Sequence, residues 1–114
     1  MAKKLERYTI EYYEEQIKQA ETAIAVLRRS EVLPEDDLNI QAYKYYLQYH
    51  NVVTVANILS DAGFRYTNDG HNRKLNSNDI SAIIQGVEIE DADMMNLARN
   101  IFASAKKAIN KRFN

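Results

Sequence analysis

The chain has 114 residues, 16 acids against 15 lysines and arginines, and no cysteine. That suits one domain, 1–114, with one modest core. It excludes disulfides, thiolate metal sites and a whole-molecule attraction to polyanions.

The opening "MAKKLERYTIEYYEE" has cations but no apolar segment, so no secretory signal is expected. No apolar run approaches the ~20 residues that span a bilayer. No membrane is expected as a partner, and a reducing cytoplasm is the expected setting. The first predicted element is a long helix. Ile10, Tyr13, Ile17, Ala20, Ile24 and Leu27 recur at alternating steps of three and four, an a/d seam. Thr9 suits its N-cap, and Glu11, Glu14 and Glu15 follow where the helix dipole favours anions. Arg28 and Arg29 end it where cations are favoured. The seam predicts packing against another helix of the chain, with a homodimer through this helix as the alternative. Covered within the chain, Ile24→Ala and Leu27→Ala would each cost about 2 kcal/mol or more.

Pro34 suits the first turn of a second helix, and Glu35, Asp36 and Asp37 favour that helix start. Leu38, Ala42, Tyr45, Tyr46 and Tyr49 then share a broad face, and Tyr43 adds to a tyrosine-rich patch. Half-buried core with hydroxyls at the rim is one reading of that patch. The other is a protein-binding surface of Tyr43, Tyr46 and Tyr49, joined by Tyr66 further on. A third helix is predicted over about 51–62, from Val52, Val55, Ala56, Leu59 and Ala62, either continuous with the second or capped by Asn51. Gly63 is a fit residue just past its end.

The stretch "FRYTNDGHNRKLNSNDI" breaks the helical pattern. Phe64 to Thr67 alternate with strand propensity, and Asn68, Asp69, Gly70 and His71 form a turn around an Asp-Gly pair, a strong hairpin signal. A hairpin or hairpin-like loop is predicted at about 64–75. Asn76 or Ser77 caps a short helix with Ile80, Ile83 and Ile84 on its apolar face, stopped by Gly86. A last helix starts near Asp91, with an apolar stripe of Met94, Leu97, Ala98, Ile101, Phe102, Ala105, Ala108 and Ile109. Its end carries Lys106, Lys107, Lys111 and Arg112. The expected fold is mainly α: a small bundle of four to five helices with a short β-hairpin.

No catalytic constellation stands out. His50 and His71 are far apart, and Glu14–Glu15 and Asp36–Asp37 lie at helix ends without a histidine beside them. No enzyme activity, metal site or cofactor is expected. The segment "TVANILSDAGFRYTNDGHNRKLNSNDISAII" resembles the helix-turn-helix part of the recombinase domain of serine recombinases. Val55, Ala56, Leu59 and Gly63 match its first part, Arg65, Thr67 and Gly70 its turn, and Ser77, Ile80 and Ile84 its second helix. Leu75 stands where that family has a bulky aromatic. The resemblance implies DNA near Arg65, His71, Arg73, Lys74, Asn76, Asn78 and Ser81, and no recombination activity, since the catalytic domain has no counterpart in the chain.

Two functions follow as expectations. The first is a small non-enzymatic DNA-binding regulator, of a phage or other mobile element. Arg73 and Lys74 would neutralise phosphates, and Asn76, Asn78 and Ser81 would reach base edges. The second is a protein-interaction module: an inhibitor, adaptor or anti-defence protein that binds a protein target.

Overall fold

Each helix start is marked by a side-chain oxygen that takes a backbone N–H left without a helical partner. In the computed structural model, which describes residues 8–68 and 70–113 and the side chains up to 106, the elements run α1 (Ile10–Arg28), α2 (Leu38–Tyr49), α3 (Val52–Asp61), β1 (Arg65–Asn68), β2 (His71–Lys74), α4 (Ser77–Gly86) and α5 (Ala92–Phe113). Thr9 Oγ1 accepts from Tyr12 N at 3.1 Å, and Asp37 Oδ1 accepts from Ile40 N at 2.9 Å. Asn51 Oδ1 takes both Val53 N and Thr54 N, so α2 and α3 are separate helices. His50, in the left-handed region at φ 52°, turns the chain between them. Asn76 and Asp79 form a reciprocal capping box at α4. Asp91 Oδ1 takes Met94 N at 3.1 Å before α5.

Pro34 does not open α2. It lies in a turn, and the helix begins at Leu38. The acids behind it are drawn elsewhere: Asp36 accepts from Leu33 N at 2.8 Å and from Lys44 Nζ at 2.7 Å, and Asp37 is spent as the cap. Lys44 is buried, and its ammonium also donates to Glu31 O at 2.9 Å. Burial, the largest single influence, pushes the Asp36 carboxyl up. The hydrogen bonds from Lys44 and the Leu33 N–H, with the Lys44 charge, together outweigh it and hold the group below the usual aspartate range.

The core forms where α2, α3, α4 and α5 converge. It contains Ala42, Tyr43, Tyr46, Leu47, Val55, Ala56, Leu59, Leu75, Ile80, Ile83, Ile84, Met94 and Ala98, with Val26 reaching in from α1. The buried face of α2 is turned from the expected one. Tyr43 and Leu47 are inside, Tyr45 is half-buried and Tyr49 is exposed. The Tyr43 hydroxyl fixes this choice. It lies 2.6 Å from Val87 O, 3.0 Å from Ile84 O and 3.2 Å from Ile83 O, at the end of α4. Arg99 of α5 donates to two of the same carbonyls, Ile84 O and Val87 O. The C-terminus of α4, where carbonyls lack helical partners, is thus capped by a phenol and a guanidinium from two other helices. The α5 stripe enters the core through Met94 and Ala98, with Leu97, Ile101 and Phe102 packed at its edge. Ala105 is exposed, and the side chains of Ala108 and Ile109 lie outside the described residues.

α1 stands apart from this convergence. Its C-terminal end meets the start of α5, where Val26 is buried and Arg29 makes a two-pronged ion pair with Asp91 at 2.7 and 2.9 Å. The seam it was expected to bury in the chain is exposed, from 48% at Ile24 and 51% at Leu27 to 74% at Ile10. The radius of gyration, 16.6 Å, accordingly exceeds the ~13 Å of a compact domain of this size. Among the described residues no helix is long and apolar enough to cross a membrane.

Candidate nucleic-acid interface

β1 and β2 form a two-stranded antiparallel ribbon with Arg65 opposite Lys74, Tyr66 opposite Arg73, Thr67 opposite Asn72, and Asn68 opposite His71. Gly70, at φ +80°, supplies a turn conformation that other residues rarely adopt. Asp69 lies outside the described residues. All eight strand residues are exposed. No face of the ribbon is buried, so the hydrophobic effect contributes little to it.

What holds the ribbon is its root. Ser60 Oγ, buried at the end of α3, accepts from Leu75 N at 3.0 Å and donates to Leu75 O at 3.4 Å. Arg65 Nη1 donates to Ser60 O at 2.6 Å and to Phe64 O at 2.8 Å. Arg73 ties the other strand to α4, with Nη1 and Nη2 at 2.7 and 3.0 Å from the Asp79 carboxylate. Its guanidinium also sits 4.1 Å from the centre of the Tyr66 ring, in cation–π range. The hydrogen bond from Arg73, more than its charge, holds the Asp79 carboxyl below the usual aspartate range, and the same bond raises Arg73.

These contacts sort the expected site residues. Alternation places Arg65, Thr67, Asn72 and Lys74 on one face of the ribbon, and Tyr66, Asn68, His71 and Arg73 on the other. Lys74 and His71 are exposed, and their side chains make no hydrogen bond or ion pair among the described residues. Arg73 is not a free phosphate ligand, because Asp79 already neutralises it. Asn76 does not point at a partner either, since its side chain is spent on the cap of α4. Ser81 is half-buried and lines a cleft with Tyr46, His50, Val52 and Phe102. Asn78 is exposed and its side chain is not engaged in a cap, unlike that of Asn76, which is also exposed. The helix start offers an anion little, because the Asp79 N–H is taken and a carboxylate lies beside it.

The tyrosine surface does not form. Tyr43 is 0% and Tyr46 2% exposed, and both sit in the core because their rings fill the space between α2, α4 and α5. Tyr49 and Tyr66 remain outside, one on α2 and one on the ribbon. Burial pushes the Tyr43 and Tyr46 hydroxyls up, which keeps Tyr43 protonated as a donor to the end of α4. Sequence reasoning missed Ser60 and Asp79 as anchors of the ribbon. The six-residue step from Arg73 to Asp79 carries no regular-structure period that would have marked the pair. Among the described residues no group of three histidines or acids is placed to hold a metal ion. Comparison with protein-family models, curated proteins and solved structures found no match.

Proposed function

We propose that this protein is a non-enzymatic DNA-binding regulator that contacts DNA chiefly with the β1–β2 ribbon. The observation that carries the reading is the Arg65–Lys74 pair. Two cations lie directly opposite each other on an exposed face, where like charges weaken a sheet. Arg65 is held by Ser60 O and Phe64 O at the root of the ribbon, but no contact among the described residues calls for a second cation at Lys74, and a phosphate lying along this face would relieve the repulsion. Thr67 and Asn72 extend the same face with hydrogen-bonding groups. The major groove admits a two-stranded ribbon as well as a helix. Asn78, just beyond the ribbon on α4, adds one side chain able to reach a base edge.

Fluorescence anisotropy with random and selected duplexes at two salt concentrations tests this. Lys74→Ala should weaken binding to all sequences and reduce the salt slope by about 1, because phosphate contacts are blind to sequence. Asn78→Ala should relax preference at one base position by ~1–3 kcal/mol. Arg73→Ala is a poor probe, because it releases Asp79 and loosens the ribbon. Absence of binding by the wild-type protein at low salt, where attraction is least screened, overturns the proposal.

A further inference from the structure

α1 has two faces. Gln19, Ala23 and Val26 look towards α5, with Asn96, Leu97 and Asn100 across a shallow groove. The seam of Ile10, Tyr13, Ile17, Ala20, Ile24 and Leu27 looks elsewhere, with only Ala20 also bordering the groove. At ~100° per residue its middle lies roughly 140° around the helix from Gln19 and Val26. All six seam residues are exposed. Scattered apolar residues on a surface need no explanation, but a stripe at coiled-coil spacing along the whole of a 19-residue helix does.

We propose that this seam pairs with the same seam of a second copy of the chain, with the two α1 helices antiparallel about a two-fold axis between residues 18 and 19. The spacing is self-complementary in that orientation. Ile10 meets Leu27 of the second copy, Tyr13 meets Ile24, and Ile17 meets Ala20, after which the layers repeat in reverse. Each small residue is thus set against a branched one, and the tyrosine against an isoleucine. A parallel pair would instead put Ala20 on Ala20 and Tyr13 on Tyr13, leaving a gap in one layer and crowding in another.

Glu11 and Glu15 lie on the far side of α1 from the seam, and Arg29 is held by Asp91, so Glu14, Glu21 and Arg28 are the charges that flank it. Arg28 is exposed and has no partner among the described residues, and in the antiparallel pair it comes to the flank that carries Glu14. Covering the five large seam side chains on both copies removes roughly 1,000 Å² from water, the lower bound for a specific interface. An interface of this kind is isologous and closes at two copies. It rests on the seam alone and is independent of the DNA-binding proposal.

The test is done without DNA. Light scattering across micromolar concentrations should give twice the 13.2 kDa of one chain. The double variant Ile17→Glu with Ile24→Glu should give a single chain with unchanged circular dichroism, since both sites are exposed in the folded protein. The absence of native cysteine makes cross-linking clean for orientation. Leu27→Cys alone should not cross-link, because its two copies lie about 25 Å apart at 1.5 Å per residue. Mixed with Ile10→Cys it should form a covalent dimer under mild oxidation. A wild-type protein that is monomeric throughout overturns the proposal and leaves the seam to a different protein. So does a dimer that survives the double variant, and so does self-cross-linking of Leu27→Cys, which reports parallel helices.

Discussion

α1 and α2 carry the same kind of signal, apolar residues at helical spacing, and meet opposite fates. α2 is 12 residues long and lies where three other helices converge, so Ala42, Tyr43, Tyr46 and Leu47 all disappear from solvent. α1 is 19 residues long and joins the core at one end, so Val26 is its only buried residue. Periodicity reports that a face is apolar. How many elements arrive at that face decides whether it is covered, and that depends on chain connections far from the helix itself.

The largest expected effect tests the α2 side of this contrast. Tyr43→Ala should cost ~3–5 kcal/mol in chemical denaturation, since it empties a fully buried ring site. Tyr43→Phe separates packing from hydrogen bonding. It keeps the ring but leaves Ile84 O and Val87 O with Arg99 alone, and it should cost ~1–3 kcal/mol. If Tyr43→Ala costs less than Tyr43→Phe is expected to, the contrast between the two helices collapses.

Acid sharpens the contrast at intermediate size. Asp36, Asp79 and Asp91 are all held below the ordinary aspartate value in the folded protein: Asp36 by Lys44 and the Leu33 N–H against its burial, Asp79 by Arg73, and Asp91 by Arg29. A depressed folded value means that the stabilisation is fully present above the unfolded pKa, about 3.9. It is then lost as the pH falls through the folded values. Stability should therefore be flat in neutral buffer and fall below about pH 4. Asp79→Ala should remove part of this acid response, and at neutral pH it should cost ~1 kcal/mol through the lost half of the capping box. An unchanged acid profile in that variant would show that the Arg73–Asp79 pair does not persist in solution.

The smallest effect belongs to α1. Ile24→Ala and Leu27→Ala, which would each cost about 2 kcal/mol if the seam were covered within the chain, should each cost about 0.5 kcal/mol or less in dilute solution, as exposed substitutions do. If the dimer forms, the loss should grow with protein concentration in the same denaturation experiment. A large loss that is independent of concentration would place the seam against the rest of its own chain.

The features legible in the sequence are those decided within a few residues. Thr9, Asn51 and Asn76 cap helices because the acceptor and the N–H it takes are two or three positions apart. Gly63 and Gly70 adopt positive φ where the end of α3 and the turn require it. The hairpin follows from the turn and the alternation beside it. The choice of Tyr43 over Tyr49 for the core was not legible, because it depends on carbonyls 40 to 44 positions later. Pro34 misled for the same reason: Lys44, well inside α2, draws Asp36 away from the helix start. At the candidate interface, exposure of Lys74, His71 and Asn78 was readable from their polarity. The engagement of Arg73 and Asn76 with Asp79 was not, since it required knowing how the ribbon leans on α4.

The Ser60–Leu75 contact at the root of the ribbon has a consequence for motion. Both backbone groups of Leu75 are held by one buried hydroxyl, and the eight strand residues beyond it are all exposed. The ribbon can therefore peel open and reclose while α2, α3 and α4 stay packed, a local opening far less costly than global unfolding. In hydrogen-exchange experiments the amides within β1 and β2 should exchange quickly, and the Leu75 amide, a single residue past the end of β2, should exchange only as fast as the core. Ser60→Ala should erase that boundary and let the fast zone spread to Leu75. A slow, core-like ribbon in the wild-type protein would show that it is rigid before any partner arrives.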